Sequence, residues 1–388
     1  MTPATDFPGY ARAVGRPGIR NRLVVLSVCG LNAPGARKVA AALPGSVLIS
    51  TPFGRGQVGP DKAFHDTMLE RFGTHPNTGA VILLAADRAM RQRYQAAIQA
   101  AGRPVAGFSL QEEGEDGEIL FDKAVAAGRD LQAVLDRQAR VPCRVSDLVI
   151  AAECGHSDAS SGIVANPLVG DLSDLVVAAG GAAVFSETLE WLGTEPGLCA
   201  RCVSPEVADR LRELVAARHA IARAAGRDIR LGNPGPQNHE GGITTLEEKS
   251  LGAIAKGGTG PIAGALAQGE AIPGPGLYAM DTPTLSPESI SSMVAGGAQL
   301  VCFTTGHGNP YGSALAPTVK VTANPETAAR LPRQIDFDAS PAFTGTAARA
   351  DLAADFAALV LDVCAGRATA AERADEGDEV ISRQGPSI

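Results

Sequence analysis

The sequence predicts an α/β protein built from two doubly wound, mostly parallel-sheet domains. Length, strand type and alternation carry that reading. At 388 residues the chain exceeds one ordinary core. Its apolar runs are short and nearly continuous, as in parallel strands covered on both faces. They alternate with alanine-rich stretches of helical character. Strands are expected at 22–28, 46–50, 79–85, 104–108, 147–152, 182–186, 277–281, 300–305 and 318–322. Helices are expected at 34–43, 61–72, 87–101, 121–139, 171–179, 205–225, 246–255, 286–296 and 350–366. The long helix at 205–225 ends in GRDIRLGNPGP, which sets the expected domains at 1–228 and 229–388. Glycines cluster as GG and GxG beside apolar runs and read as tight strand-to-helix turns. The charged run QEEGEDGE (111–118) reads as a solvated loop.

Composition narrows the function classes. A formal charge of −8 without a basic stripe argues against nucleic acid, though a local Arg/Lys cluster still suits an anionic substrate. No stretch approaches 18 consecutive apolar residues, so no membrane span is expected. The opening MTPATDFPGY has neither a charged n-region nor an apolar h-region, so no signal peptide is expected. Seven scattered cysteines fit a reducing cytoplasm better than a disulfide framework. Cys199 and Cys202 form a CxxC without a second pair, which reads as an incidental helical pair rather than a zinc site.

Four loops concentrate chemistry. Residues 232–260 are broken by Gly and Pro at both ends yet carry Asn233, Asn238, His239, Glu240, Lys249 and Lys256. Such a loop lets backbone approach a ligand while presenting acid, base and amide groups together. Part of it is plainer: Thr244 or Thr245, followed three residues on by Glu247 or Glu248, forms a capping-box pattern opening the 246–255 helix. AECGHSDASSG (152–162) follows a strand, placing Cys154 to Asp158 at its carboxyl end, where α/β proteins place ligands. Ser157 or Asp158 can equally cap the next helix. Glu187 follows the strand AAVFS, as a ligand or acid or as a first-turn residue favoured by the helix dipole. Thr304, Thr305 and His307 stand just past LVCFTT.

These blocks, in order, resemble the altronate and galactarate dehydratases. GYARAVGRPGIRN (9–21), HPNTGAVIL (75–83), AECGHSDASSGIVANPLVG (152–170) and AAGGAAVFSETLEWLG (178–193) follow the family's sequence of motifs. GNPGPQNHEGGITTLEEKSLGAIAKGG (232–258) and MDTPTLSPESISSMVAGGAQLVCFTTGHGNPYGSALAPTVKVTANP (280–325) complete it. The resemblance implies a cytoplasmic hydro-lyase that dehydrates a small sugar acid or hydroxy carboxylate to a 2-keto-3-deoxy acid. It implies a divalent metal, Fe2+ or else Mn2+ or Mg2+, held by some of Cys154, Asp158, Glu187, His239 and Glu240. Arg16, Arg20, Lys249 and Lys256 match positions suited to a substrate carboxylate. Ser157, Asn166, Asn238, Thr244, Thr245, Thr304 and Thr305 are the expected polar contacts. His239 or His307 is the expected base for the C2 proton, with Lys249 beside it.

The chain also departs from the pattern. The family's HxxGC element reads TPFGRGQ (51–57), its GCE element reads AADRA (85–89), and the His after SETPE is replaced around Glu195 and Pro196. His156, His239 and His307 stand where the family has Gly, Lys and Arg. The family's small β-rich domain is not read ahead of GYARAVGR, and is expected either as a separate subunit, as in two-subunit relatives such as sulfolactate sulfo-lyase, or to be absent. A separate small subunit and a homo-oligomer are therefore expected partners. Two other readings stand beside dehydration: carbon–sulfur cleavage of a sulfonated hydroxy acid, and a non-catalytic hydroxy-acid binder.

Overall fold

The computed structural model describes residues 6–230, 232–383 and 385. In chain order the strands are β1 (Asp6–Gly9), β2 (Arg22–Ser27), β3 (Val47–Ser50), β4 (Thr78–Ala85), β5 (Val105–Ser109), β6 (Val141–Arg144) and β7 (Val149–Cys154). They continue with β8 (Ala182–Phe185), β9 (Ile262–Leu266), β10 (Gly276–Met280), β11 (Leu300–Thr304), β12 (Thr318–Thr322) and β13 (Phe337–Asp338). Contacts divide the chain into two compact units. One is Pro8–Cys143 with Ala314–Ala316 and Asp378–Ile388; the other is mainly Arg144–Ser313 and Pro317–Gly377.

The expected boundary at 228/229 is therefore corrected to about 143/144. The reason lies in strand pairing. β8 lies parallel to β10, and β7 to β11, so the chain between β8 and β10 belongs to one unit.

The N-terminal unit is a four-stranded parallel sheet in the order β3-β2-β4-β5. Helices Ala33–Ala42, Gly59–Thr74, Arg88–Ala100 and Gly117–Leu135 accompany it. Every residue of β4 is buried, which explains the continuous apolar run TGAVILLA. On one face Leu23, Val25, Ile82 and Leu84 pack with Val39, Leu43 and Leu120 of the helices. Asp87 and Asp116 cap two of those helices with their side chains.

The larger unit is a seven-stranded sheet in the order β13-β12-β11-β7-β8-β10-β9, parallel at every recorded pairing. β7 sits at its centre between β11 and β8. Helix Asn166–Ala178 runs next to the turn at 255–258, where a Cβ at Gly170 would stand 2.2 Å from the carbonyl oxygen of Ala255. Only glycine permits that approach. Ser161–Ala178 is the one stretch among the described residues long and apolar enough to cross a membrane, and over half of it (56%) is buried inside the protein.

Candidate functional site

The site grows out of the carboxyl ends of β7 and β8. β7 ends on Cys154, and β8 is followed at once by Ser186 and Glu187. Glu187 turns the chain in the left-handed region, φ 70°, rare for a residue with a side chain and of the kind that gathers at working sites. One turn of 3-10 helix, Thr188–Trp191, then places Glu190 three residues on. Near three residues per turn, that spacing returns Glu190 to the side of Glu187. Trp191 anchors the turn. It is fully buried, donates Nε1 to the Ser186 carbonyl at 3.2 Å, and meets Phe185 edge-on. The third contributor is Lys256, whose following glycine lies tight on the Phe185 ring: a Cβ at Gly257 would stand 2.8 Å from it.

These segments assemble a buried charged cluster. Lys256 Nζ donates to Cys154 Sγ at 3.0 Å, Glu190 Oε2 at 2.9 Å and Glu187 Oε2 at 3.3 Å. Cys154 Sγ also lies 3.2 Å from Glu190 Oε2. Lys249 Nζ stands 3.6 Å from Glu190 Oε1 and donates to Asn233 Oδ1. Behind the cluster, Glu153 Oε2 accepts from Ser289 Oγ at 2.7 Å and Ser186 Oγ at 3.3 Å.

Burial and charge sort the ionisable groups. Burial, then Glu153 and Glu190, push the Glu187 carboxyl well above its ordinary range. Burial pushes Glu190 upward too, but Lys256 and Lys249 outweigh it and bring its pKa down to about 2. Of the two, Glu190 is the carboxyl whose charge is favoured and Glu187 the one whose charge is opposed. Burial and the neighbouring Glu190 hold the Cys154 thiol well above its usual value. Burial works against the Lys256 ammonium, and the surrounding thiol and carboxyl groups outweigh it. Burial raises Glu153 to about 7.

Cys154, Glu187 and Glu190 each present one donor atom, all within 4.8 Å of one another, so the group can hold a metal ion. The three also line a cavity of about 540 Å³ with Lys249, His156, Ser157 and Asn238. Its wall includes Thr284, Ser286 and Asn309, and its size is ordinary for a small-molecule site.

The structure gathers some expected residues and separates others. Cys154, Ser157, Glu187, Asn238 and Lys249 line the cavity, and Lys256 lies in the cluster. Asp158 does not stand with the metal-type donors. Its Oδ1 accepts from Ser160 Oγ and Ser161 N, and its Oδ2 from Asn324 Nδ2, because it closes the turn that opens the next helix. Glu240 is exposed at the end of the short helix Pro236–Glu240 and likewise stands outside that group.

Asn166 and Thr304 bond each other, and Asn166 also donates to the Gly252 carbonyl, so their polar atoms are used internally. Thr305 Oγ1 accepts from Gly308 N within its own turn. Thr245 caps helix Leu246–Ile254, and Thr244 donates to Glu248, as the capping-box reading allowed. His239 is exposed, with Nδ1 2.9 Å from the Ile243 carbonyl. His307 is half-buried, and its Nε2 is buried without a partner among the described residues. Arg16 and Arg20 belong to the N-terminal unit, where Arg20 is buried and donates to the Ile19 carbonyl.

Sequence reasoning missed Glu190 and Glu153. The signal for Glu153 was a lone carboxylate closing the apolar run LVIAAE; for Glu190 it was a second acid three positions after Glu187.

A buried acid–thiol–lysine cluster opening on a polar cavity at the carboxyl edge of a parallel sheet defines an α/β enzyme site. The chain belongs to the D-galactarate/altronate dehydratase family. Residues 145–387 match the model described as D-galactarate/Altronate dehydratase, C-terminal. Residues 9–135 match D-galactarate dehydratase/Altronate hydrolase, second domain. The (2R)-sulfolactate sulfo-lyase subunit beta of Chromohalobacter salexigens is 34% identical over 97% of each chain. Altronate dehydratase of Escherichia coli is 32% identical over 98% of this chain and 78% of its own length. Galactarate dehydratase (L-threo-forming) of the same species is 36% identical over 67% of this chain and 50% of its own. These relatives are lyases, and so is this chain.

Proposed function

We propose that the chain is a metal-dependent lyase that removes water from a small hydroxylated carboxylate, leaving a 2-keto-3-deoxy acid. The supporting observation is the convergence of Cys154, Glu187 and Glu190 with two lysine ammoniums at a polar cavity. The donor set fits a divalent cation, because three ligand atoms lie within 4.8 Å of one another; the Lys256 ammonium now meets all three and would have to give way to the ion. Sulfur among the donors suits Fe2+ better than Mg2+. When bound, such an ion offsets the negative charge that develops on the substrate carboxylate.

The chain's own residues supply the rest. Lys249, fixed by Asn233 and Glu190, holds the substrate carboxylate. His307 takes the C2 proton. Its Nε2 has no partner among the described residues, but it stands beside Gly241 rather than on the cavity wall and must turn to reach the substrate; His239 is exposed. The C2 electrons then form the C2–C3 double bond, and the C3 hydroxyl departs as water with the proton that the His307 imidazolium carries. The resulting enol tautomerises to the keto acid.

All seven cysteines are free thiols, in keeping with a cytoplasmic enzyme. A separate small subunit and a homo-oligomer belong to the same proposal, and the relative described as a subunit beta supports the first. That relative also favours a second reading, expulsion of sulfite in place of water.

The test supplies the purified protein with Fe2+ or Mn2+ and measures 2-keto acid from a sugar-acid panel, and sulfite from sulfolactate. Keto acid from sugar acids is expected. Neither product, together with no metal bound by elemental analysis, leaves a hydroxy-acid binder.

A further inference from the structure

The geometry points to His156 and Thr284 as specificity-determining residues that together recognise an uncharged hydroxyl on the part of the ligand remote from its carboxylate. This rests on the reading of the 540 Å³ cavity as the substrate site.

His156 lines the cavity and is exposed, yet its backbone stands at φ 51°, in the left-handed region. Its carbonyl holds the backbone there by accepting from Gly306 N and His307 N at 3.1 and 3.2 Å. The ring is fixed too, because Nδ1 meets the Gly308 carbonyl at 2.8 Å. A carbonyl oxygen only accepts, so Nδ1 carries the proton. In the neutral ring Nε2 is then a free acceptor. Thr284 offers the complement. It lines the same cavity, and its Oγ1 is buried without a partner among the described residues. A ligand hydroxyl can donate to His156 Nε2, and the same or a neighbouring hydroxyl accepts from Thr284 Oγ1 once the side chain turns into the cavity.

Charge points the same way. Among the described residues Lys249 is the one lysine on the cavity wall, and no arginine lines it. The wall's own side chains serve one ligand anion and not a second. The subsite therefore selects a monoanionic carboxylate with a hydroxylated chain over one bearing a sulfonate or second carboxylate.

Binding calorimetry on the full chain decides this with three probes: altronate, glycerate (a three-carbon analogue without the distal hydroxyls) and sulfolactate. The wild-type protein is expected to bind altronate about tenfold more tightly than either other probe. His156→Gly, which keeps the left-handed backbone accessible, and Thr284→Val should each weaken altronate about tenfold more than glycerate. Equal weakening of both probes, or none, overturns the assignment while leaving the lyase reading intact. Tighter binding of sulfolactate than altronate does the same and favours sulfite as leaving group. If the wild-type protein binds none of the three, the assignment falls together with the cavity's reading as a substrate site.

Discussion

Replacing Lys256 by Met keeps an unbranched chain of similar length and removes the ammonium at the centre of the cluster. Lys256 Nζ meets Glu190, Cys154 and Glu187 at 2.9, 3.0 and 3.3 Å, and its side chain is about 1% exposed. Water cannot take its place. Removing one partner of a buried ion pair costs about 3–5 kcal/mol, because the other charge is left uncompensated. Lys249, at 3.6 Å from the far oxygen of Glu190, recovers only part of that. For a unit of this size, about 2–4 °C of melting temperature follows each kcal/mol, so a drop of about 6–20 °C is expected. The assay is thermal unfolding of metal-stripped wild-type and Lys256→Met proteins, repeated with Mn2+ or anaerobic Fe2+. The ion should raise the variant's midpoint more than the wild-type midpoint, since it restores positive charge where the ammonium has been removed. A variant that melts within about 2 °C of wild type, or an equal metal shift in both proteins, refutes the assignment of Lys256 as the charge that holds this cluster.

Other perturbations separate the remaining roles. Cys154→Ser and Glu187→Gln should each lower metal affinity by about tenfold or more, read by competition with a chelator; unchanged affinity in both removes this donor set. His307→Gln should lower turnover by about 10²-fold or more, whereas His239→Ala should cost about 1 kcal/mol of stability and little turnover per folded molecule; the reverse pattern moves the base to His239. Asp158→Ala should destabilise the fold by about 1–2 kcal/mol in urea titration, the cost of a lost cap. His65 is buried, its ring nitrogens have no partner among the described residues, and burial lowers its pKa from 6.5. Its neutral form contributes stability that is present above pH 6.5 and lost as pH falls below it, since the unfolded chain then binds the extra proton. His65→Leu should flatten that slope in urea melts across pH 4.5–7, and an unaltered slope counts against the buried neutral imidazole.

The fold was legible where side-chain period and turn chemistry agree. All nine expected strands are present within two residues at each end, and the expected helices recur with two starting a turn earlier. Asp116 explains one of those shifts by capping before 117, and Pro167 suits the first turn of the other. β9 escaped because IAGAL is built from small residues between glycine and proline, with little β-branched signal. The domain boundary escaped because pairing of β8 with β10 is non-local and leaves no mark in composition. At the site, strand-end position identified Cys154 and Glu187. The loop histidines drew attention by chemistry alone, whereas what unites the cluster is Lys256, reaching back from a glycine turn 102 positions beyond Cys154.

The central position of β7 has a kinetic consequence. Its neighbour β11 pairs Thr304 with Cys154, so about 150 residues must be synthesised between one edge of the site's scaffold and the other. Long-range parallel pairing of this kind forms slowly. During translation Cys154, Glu187 and Glu190 leave the ribosome well before Lys256, and β11 follows later still. A nascent chain stalled before residue 256 exposes an apolar parallel strand flanked by acids that lack the Lys256 counter-charge. Folding of the larger unit is accordingly expected to be late and all-or-none, with affinity for metal appearing in the same kinetic phase as native secondary structure rather than before it.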